Sequence, residues 1–84
     1  MVLNNDEGFI TLDKLKAGGK AVIMEILDTN ISIKLIEMGC PPGEKVLVRM
    51  TAIGKDPIAI EVSGNLIALR RSEARSIRVK EVEN

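Results

Sequence analysis

The side chains able to carry chemistry are few, and the first of them is a single cysteine, Cys40. The chain has 84 residues and no histidine, so the usual general base, metal ligand and partner of a nucleophile are all missing. The acidic residues Asp6, Glu7, Glu81 and Glu83 lie in polar terminal segments, where nothing would desolvate a carboxylate and shift its pKa. We therefore expect no catalytic residues and no enzyme.

The same inventory argues against a built metal site. Iron(II) and related metals are held by imidazole, thiolate and carboxylate ligands that converge on one point, whereas this sequence offers one thiol, no imidazole and scattered carboxylates. Cys40 is a weak candidate ligand, because a lone cysteine usually serves as a small packing residue. The glycines stand at isolated turns, and none heads a helix with Lys-Ser/Thr after it, so there is no phosphate-binding loop. We expect no resident metal, no cofactor and no nucleotide hydrolysis.

Composition also narrows the class of partner. The charges of the 12 basic and 12 acidic residues cancel, which removes the net attraction to the phosphate backbones of nucleic acids. Phe9 is the only aromatic residue, so the chain also lacks the side chains on which nucleic-acid bases stack. One cysteine forms no intramolecular disulfide, the N-terminus has no signal-peptide pattern, and no apolar run approaches the ~18 residues of a membrane span. The sequence predicts a cytoplasmic protein that binds no nucleic acid and does not insert into a membrane.

The most informative stretch joins a helix stop, a rigid turn and a strand start. A helix over residues 31–38 would place Ile31, Leu35 and Met38 on one buried stripe, and Gly39 follows where a left-handed residue is needed. The two prolines that come next forbid helical continuation and extend the chain before it turns. The structural residues of this corner and of a later hairpin turn are Gly39, Pro42, Gly43 and Gly64.

Period-two alternation of apolar residues predicts strands after the corner. The inward-facing positions are Val46, Val48 and Met50, then Ile58, Ile60 and Val62, and finally Ile77 and Val79. We predict a tight hairpin turn at Gly64-Asn65, a longer exposed loop over residues 52–56, and a 3₁₀ or helical turn before the last strand. The fold class is mainly all-β, a small five-stranded barrel with one short helix, preceded by a flexible leader (residues 1–8) and formed as a single domain over residues 9–84.

Three segments of the chain, in the same order, resemble segments of the FeoA family, the family of ferrous iron transport protein A. They are the Leu-x-x-Met-Gly helix end with its Pro-Gly turn and strand (residues 35–48), a hairpin (residues 56–70), and a closing turn and strand (residues 72–79). The resemblance extends over residues 9–82. It implies an SH3-like barrel, with transition metal ion binding as a family-level property and a weak association with Fe²⁺.

The resemblance also implies a function, that of a non-enzymatic accessory protein for ferrous iron transport. Such a protein would bind the membrane transporter FeoB at its cytoplasmic GTPase domain. Because the barrel is expected to have no catalytic groups, it would act through a surface that binds a partner. The candidate partner-binding residues are Ile36, Glu37, Met38, Cys40 and Pro41 at the helix and its corner, with Arg71 and Arg75 as the second choice.

Two other functions stay open at the level of the sequence. SH3-like modules of this kind also occur in metal-dependent transcriptional repressors, so the chain could be a regulatory module of such a system that binds a protein partner and a transition metal ion. A third interpretation is a homo-oligomeric structural protein, which the hydrophobic strands permit but no repeat demands.

Overall fold

The computed structural model describes residues 9–51 and 56–82, without the side chains of residues 50 and 51. Six strands, two short α-helices and one 3₁₀ helix follow one another along the described chain. They are β1 (Phe9–Thr11), the 3₁₀ helix (Leu12–Lys14), β2 (Lys20–Ile26), α1 (Thr29–Glu37), β3 (Lys45–Thr51), β4 (Ile58–Val62), β5 (Asn65–Leu69), α2 (Arg71–Ala74) and β6 (Ile77–Glu81). The predicted leader (residues 1–8), most of the predicted loop (residues 52–55) and Glu83 lie outside the described residues.

The strands form one antiparallel sheet in the order β1-β6-β2-β3-β4-β5. The mainly β fold class is confirmed, with six strands where the sequence predicted five. The extra strand is β1, which pairs Phe9 with Lys80 and Thr11 with Arg78 at one end of the sheet. Register shifts in β2 and β3 mark bulges that bend both strands, and bending of this kind lets a small sheet curl around its own core.

The core inside the curled sheet is aliphatic, as expected for a sequence with a single aromatic residue. The alternation of β4 is reproduced in full, with its three inward residues buried and the two between them half-buried. The buried residues that the structure describes are Leu12, Leu15, Ala21, Ile23, Leu35, Cys40, Val46, Val48, Ile58, Ile60, Val62, Ile67, Leu69, Ala74, Ile77 and Val79. Phe9 is only half-buried, and the guanidinium of Arg78 lies over its ring, 5.4 Å from the ring centre.

The β4–β5 hairpin turns one residue earlier than predicted. Its two turn residues are Ser63 and Gly64, both with positive φ (+52° and +82°), which is the type I′ geometry that matches the twist of paired strands. Asn65, predicted in the turn, begins β5 opposite Val62. The prediction at Gly64-Asn65 is wrong because Ser63 adopts the positive φ of the first turn position and Gly64 occupies the second.

Among the described helices, none is both long and apolar enough to cross a membrane.

Candidate functional site

Helix α1 begins two residues before its predicted start because Asp28 caps it. The Asp28 carboxylate accepts a hydrogen bond from the Ile31 backbone N–H at 3.1 Å, which satisfies one of the free donors of the first turn. Leu35 is fully buried in the core, and Ile31 packs against that core while half-buried. The buried Leu35 and the half-buried Ile31 therefore supply the apolar contacts that hold this nine-residue helix on the sheet.

The end of α1 is a Schellman motif, as the glycine predicted. The Cys40 N–H donates to the Leu35 carbonyl at 2.7 Å, and the Gly39 N–H donates to the Ile36 carbonyl at 3.0 Å. Gly39 has φ +82°, a conformation that costs a residue with a Cβ free energy. The motif therefore ends α1 and turns the chain sharply toward the corner.

The corner after the helix is fastened to β2 by two backbone hydrogen bonds. The Gly43 N–H donates to the Ile23 carbonyl at 2.7 Å, and the Ile23 N–H donates to the Glu44 carbonyl at 2.9 Å. Gly43 has φ +97° and Pro42 before it is exposed. The structure thus places the helix-to-strand corner where the sequence predicted it, and the corner holds the C-terminal end of α1 against β2.

The outer side of α1 is apolar and open to solvent. Ile33 and Ile36 are each 53% exposed and Met38 is 40% exposed, and Glu37 is exposed beside them. We call Ile33, Ile36, Glu37 and Met38 the α1 surface. Ile33 was missing from the candidate residues, although its three-residue spacing from Ile36 places the two on the same side of a helix.

Met38 corrects one sequence prediction. The four-and-three spacing put it on the buried stripe with Ile31 and Leu35, but it is the C-cap, where the backbone has already left helical geometry (ψ +6°). Its side chain is therefore directed by the cap and not by the helical period, and it lies partly in solvent. Half-buried Pro41 borders the same corner.

Cys40 has to be removed from the candidate partner-binding residues. Its side chain is fully buried and belongs to the same core cluster as Leu35, whose carbonyl accepts the Cys40 backbone N–H. Burial, and to a smaller extent the charge of Glu44, raises the pKa of the thiol to about 11. At neutral pH Cys40 is a protonated packing residue, in agreement with the sequence-based interpretation, and it offers no surface to a partner.

We expect Cys40 to be inert to thiol reagents in the folded protein and to react fully after unfolding. The thiol also links stability to pH. Its pKa is higher in the fold than in the unfolded chain, so its contribution is complete below the ordinary value of 9.0 and is lost as the pH rises through about 11. Urea unfolding midpoints measured across this alkaline range check the expected loss of stability. Cys40→Ala serves as the control, since it should remove the contribution of the thiol to the pH dependence.

The second candidate surface, at Arg71 and Arg75, serves in part to pack α2 on the 3₁₀ helix. Arg71 Nη1 donates a hydrogen bond to the backbone carbonyl of Asp13, and Arg75 Nε lies 3.9 Å from Asp13 Oδ2. Arg71 is half-buried, whereas the Arg75 side chain is 68% exposed. Of the two arginines, Arg75 is the more available to a partner.

An ion pair joins the two candidate surfaces. Lys34 Nζ of α1 lies 3.2 Å from Glu73 Oε2 of α2, and Glu73 Oε1 accepts a hydrogen bond from the Arg70 backbone N–H at 2.9 Å. That backbone bond, with help from Lys34, lowers the pKa of Glu73. The carboxylate is therefore charged at neutral pH, and the link between α1 and α2 weakens only in acid.

The described residues do not fit a resident transition-metal site. Over residues 9–51 and 56–82, no group of three or more histidine, cysteine, aspartate or glutamate side chains comes together. Cys40, the weak candidate ligand, is buried and protonated. A thiol in that state is a poor ligand, because metals bind the thiolate.

A shallow groove of about 390 Å³ lies on another part of the sheet and contains none of the predicted site residues. Its lining brings together two lysines and one glutamate, with mostly apolar side chains between them. The lining residues are Lys20, Ala21, Lys45, Val46, Leu47, Glu61, Ser63 and Val82.

Comparisons with known proteins agree on one family. The family model of the FeoA domain matches residues 10–81. The solution structure of FeoA from Chlorobium tepidum is 31% identical, with 88% of this chain and 71% of that chain covered and a TM-score of 0.83. The crystal structure of Stenotrophomonas maltophilia FeoA complexed with zinc, a prokaryotic SH3 domain protein, is 30% identical over 84% of this chain and 89% of that one, with a TM-score of 0.75.

A third similar structure shows the fold alone. IdeR of T. acidophilum is 21% identical, and the match covers 98% of this chain and 37% of that one with a TM-score of 0.80. No curated protein sequence matches the chain. The SH3-like fold implied by the sequence is confirmed.

Proposed function

Because the chain belongs to the FeoA family, we propose that it is a non-enzymatic, cytoplasmic accessory protein of ferrous iron transport, which binds the cytoplasmic GTPase domain of the transporter FeoB. The Stenotrophomonas relative has been described as a candidate bacterial ferrous iron transport activating factor. The observation that carries the proposal is the α1 surface. It is an apolar, solvent-exposed helix face on a protein whose described residues gather no metal-ligating cluster.

The α1 surface has the chemistry of a helix that docks into a groove. Two isoleucines three residues apart can act as neighbouring anchors for an apolar groove. The adjacent Glu37 carboxylate would favour a partner with a lysine or arginine at the rim, where charge contributes more to orientation and association rate than to affinity. Because the Schellman motif and the corner fix α1 at its C-terminal end, little conformational entropy would be lost on binding.

The test is direct binding between the purified protein and the purified cytoplasmic domain of the transporter. We expect a saturable, one-to-one complex by calorimetry and retention of the domain on the tagged protein. The measurement is made with the domain nucleotide-free, GDP-bound and bound to a non-hydrolysable GTP analogue. Lack of binding in all three states, and to the full-length transporter in detergent, would overturn the proposal.

We expect iron itself to bind weakly, without a built site. The donor set described above contains no converging ligands, so Fe²⁺ would meet only scattered surface carboxylates. Anaerobic calorimetry with Fe²⁺ should give a shallow isotherm without defined stoichiometry, and Cys40→Ala should leave it unchanged. A stoichiometric, submicromolar isotherm would contradict this expectation.

The alternative role, a regulatory module of a metal-dependent repressor system, rests on a shared fold such as that with IdeR. At 21% identity that likeness carries no function. Co-purification of the tagged protein from its own host distinguishes the two roles, since it would recover either the transporter or a repressor.

A further inference from the structure

Strand β5 is the last strand of the sheet and is paired on one side only. It pairs with β4 through the ladder from Val62↔Asn65 to Ile58↔Leu69. None of the other described strands continues the sheet beyond β5. Within residues 9–51 and 56–82, the second edge of β5 therefore has no partner strand.

The hairpin turn decides which backbone groups of β5 face that edge. In a two-residue type I′ hairpin the residues that flank the turn exchange hydrogen bonds, and hydrogen-bonded positions then alternate along the strand. Asn65, Ile67 and Leu69 consequently direct their N–H and C=O groups toward β4. Leu66 and Ala68 direct theirs toward the open edge, which thus carries two donors and two acceptors.

The strand lacks the features that usually protect an edge. Its sequence, Asn65-Leu66-Ile67-Ala68-Leu69, contains no charge and no proline, although exposed edges are commonly blocked by lysine, proline or a bulge. Leu66 is 66% exposed, more than any other large apolar side chain described. The edge strand at the opposite end of the sheet, β1, does carry such protection. It has only three residues, and the Lys80 ammonium lies 5.9 Å from the centre of its Phe9 ring.

We propose that the open edge of β5 pairs antiparallel with β5 of a second copy of this chain, across a two-fold axis at Ile67. In this register Leu66 stands opposite Ala68 of the second copy, and Ala68 stands opposite Leu66 of that copy. Both outward-facing residues of each strand then exchange hydrogen bonds, which gives four in all. A register shifted by two residues would leave one outward residue of each strand without its partner.

The side chains fit the same two-fold arrangement, and for this reason a second copy is favoured over an unrelated peptide. Leucine meets alanine on both sides of the axis, so a large side chain always faces a small one. The strand has no charged residue, so the pairing brings no like charges together within it. A five-residue strand buries far less than the ~1,200 Å² of a stable interface, so the dimer would be weak and would form at high micromolar to millimolar concentration.

Sedimentation equilibrium and amide NMR over a concentration series test the proposal. We expect the mean mass to rise toward twice that of the 9.1 kDa chain. With increasing concentration, the amides of Leu66 and Ala68 should shift and become protected from hydrogen exchange. The Ile67 amide should be protected at every concentration because it already bonds to β4.

A matched pair of variants assigns the interface. Leu66→Lys should raise the dimer dissociation constant by about tenfold or more, because each dimer loses two leucine contacts and gains two edge charges. Leu27→Lys, at an apolar side chain 57% exposed at the end of β2, should leave it unchanged. A protein that stays monomeric at millimolar concentration, equal effects of the two variants, or β5 amides that respond only to an added peptide would each overturn the proposal.

Discussion

Replacing Leu35 with alanine should lower the free energy of unfolding by about 3 kcal/mol, which is a large part of the total for a domain of this size. Leu35 is the only fully buried residue of α1 that the structure describes. Its loss would leave a cavity and release the helix, which is too short to be stable alone. Urea denaturation followed by far-UV circular dichroism measures the change.

Ile33→Ala is the matched control for the Leu35 variant. Ile33 lies on the same helix, but its side chain is 53% exposed, so its truncation should change the free energy of unfolding by no more than about 0.5 kcal/mol. If Leu35→Ala were as mild as Ile33→Ala, the helix would be held by something other than its buried leucine. The burial argument for α1 would then be wrong.

The double variant Ile36→Asp with Glu37→Lys should weaken binding to the cytoplasmic domain of the transporter by about thirtyfold or more, the loss typical of a removed interface anchor. Ile36 is 53% exposed, so its replacement removes little from the core. The new aspartate is unfavourable near the C-terminus of α1 and the new lysine is favourable, so the two changes offset in the helix dipole. Calorimetry measures the affinity, and a thermal melt close to that of the unmodified protein shows that the fold is retained.

Arg75→Glu provides the comparison for the second candidate surface. The Arg75 side chain is 68% exposed and its ion pair with Asp13 spans 3.9 Å, so we expect binding to be unchanged. Because the Asp13 side chain is only 11% exposed, a second carboxylate beside it should lower the free energy of unfolding by about 1 kcal/mol. If Arg75→Glu abolished binding while the double variant did not, the partner would dock on α2, and the α1 surface would be excluded.

The helix-to-strand corner shows how far local sequence rules reach. Gly39 adopts the left-handed conformation that a helix end requires, and the two prolines that follow Cys40 stop the helix where they must. The alternation in β4 likewise predicted which of its residues are buried. These predictions hold because each depends on the backbone preferences of a few neighbouring residues.

The misses have two sources, pairing with distant parts of the chain and local backbone geometry that departs from the regular period. Strand β1 forms only because β6, nearly seventy residues later, offers it an edge. Met38 follows the helical period in sequence but leaves it at the cap. Cys40, predicted in the partner-binding corner, is fully buried in the core cluster that also contains Leu35.

The amino-acid sequence alone is enough to predict the family, the mainly β fold class, the aliphatic core and the helix-to-strand corner, because composition, period and turn residues act locally. The three-dimensional structure was needed to establish which apolar residues of α1 remain exposed, that Cys40 offers no surface to a partner, and that none of the described strands pairs with the outer edge of β5. The exposure of side chains and the pairing of strand edges depend on which elements pack against each other, and local preferences do not specify that packing.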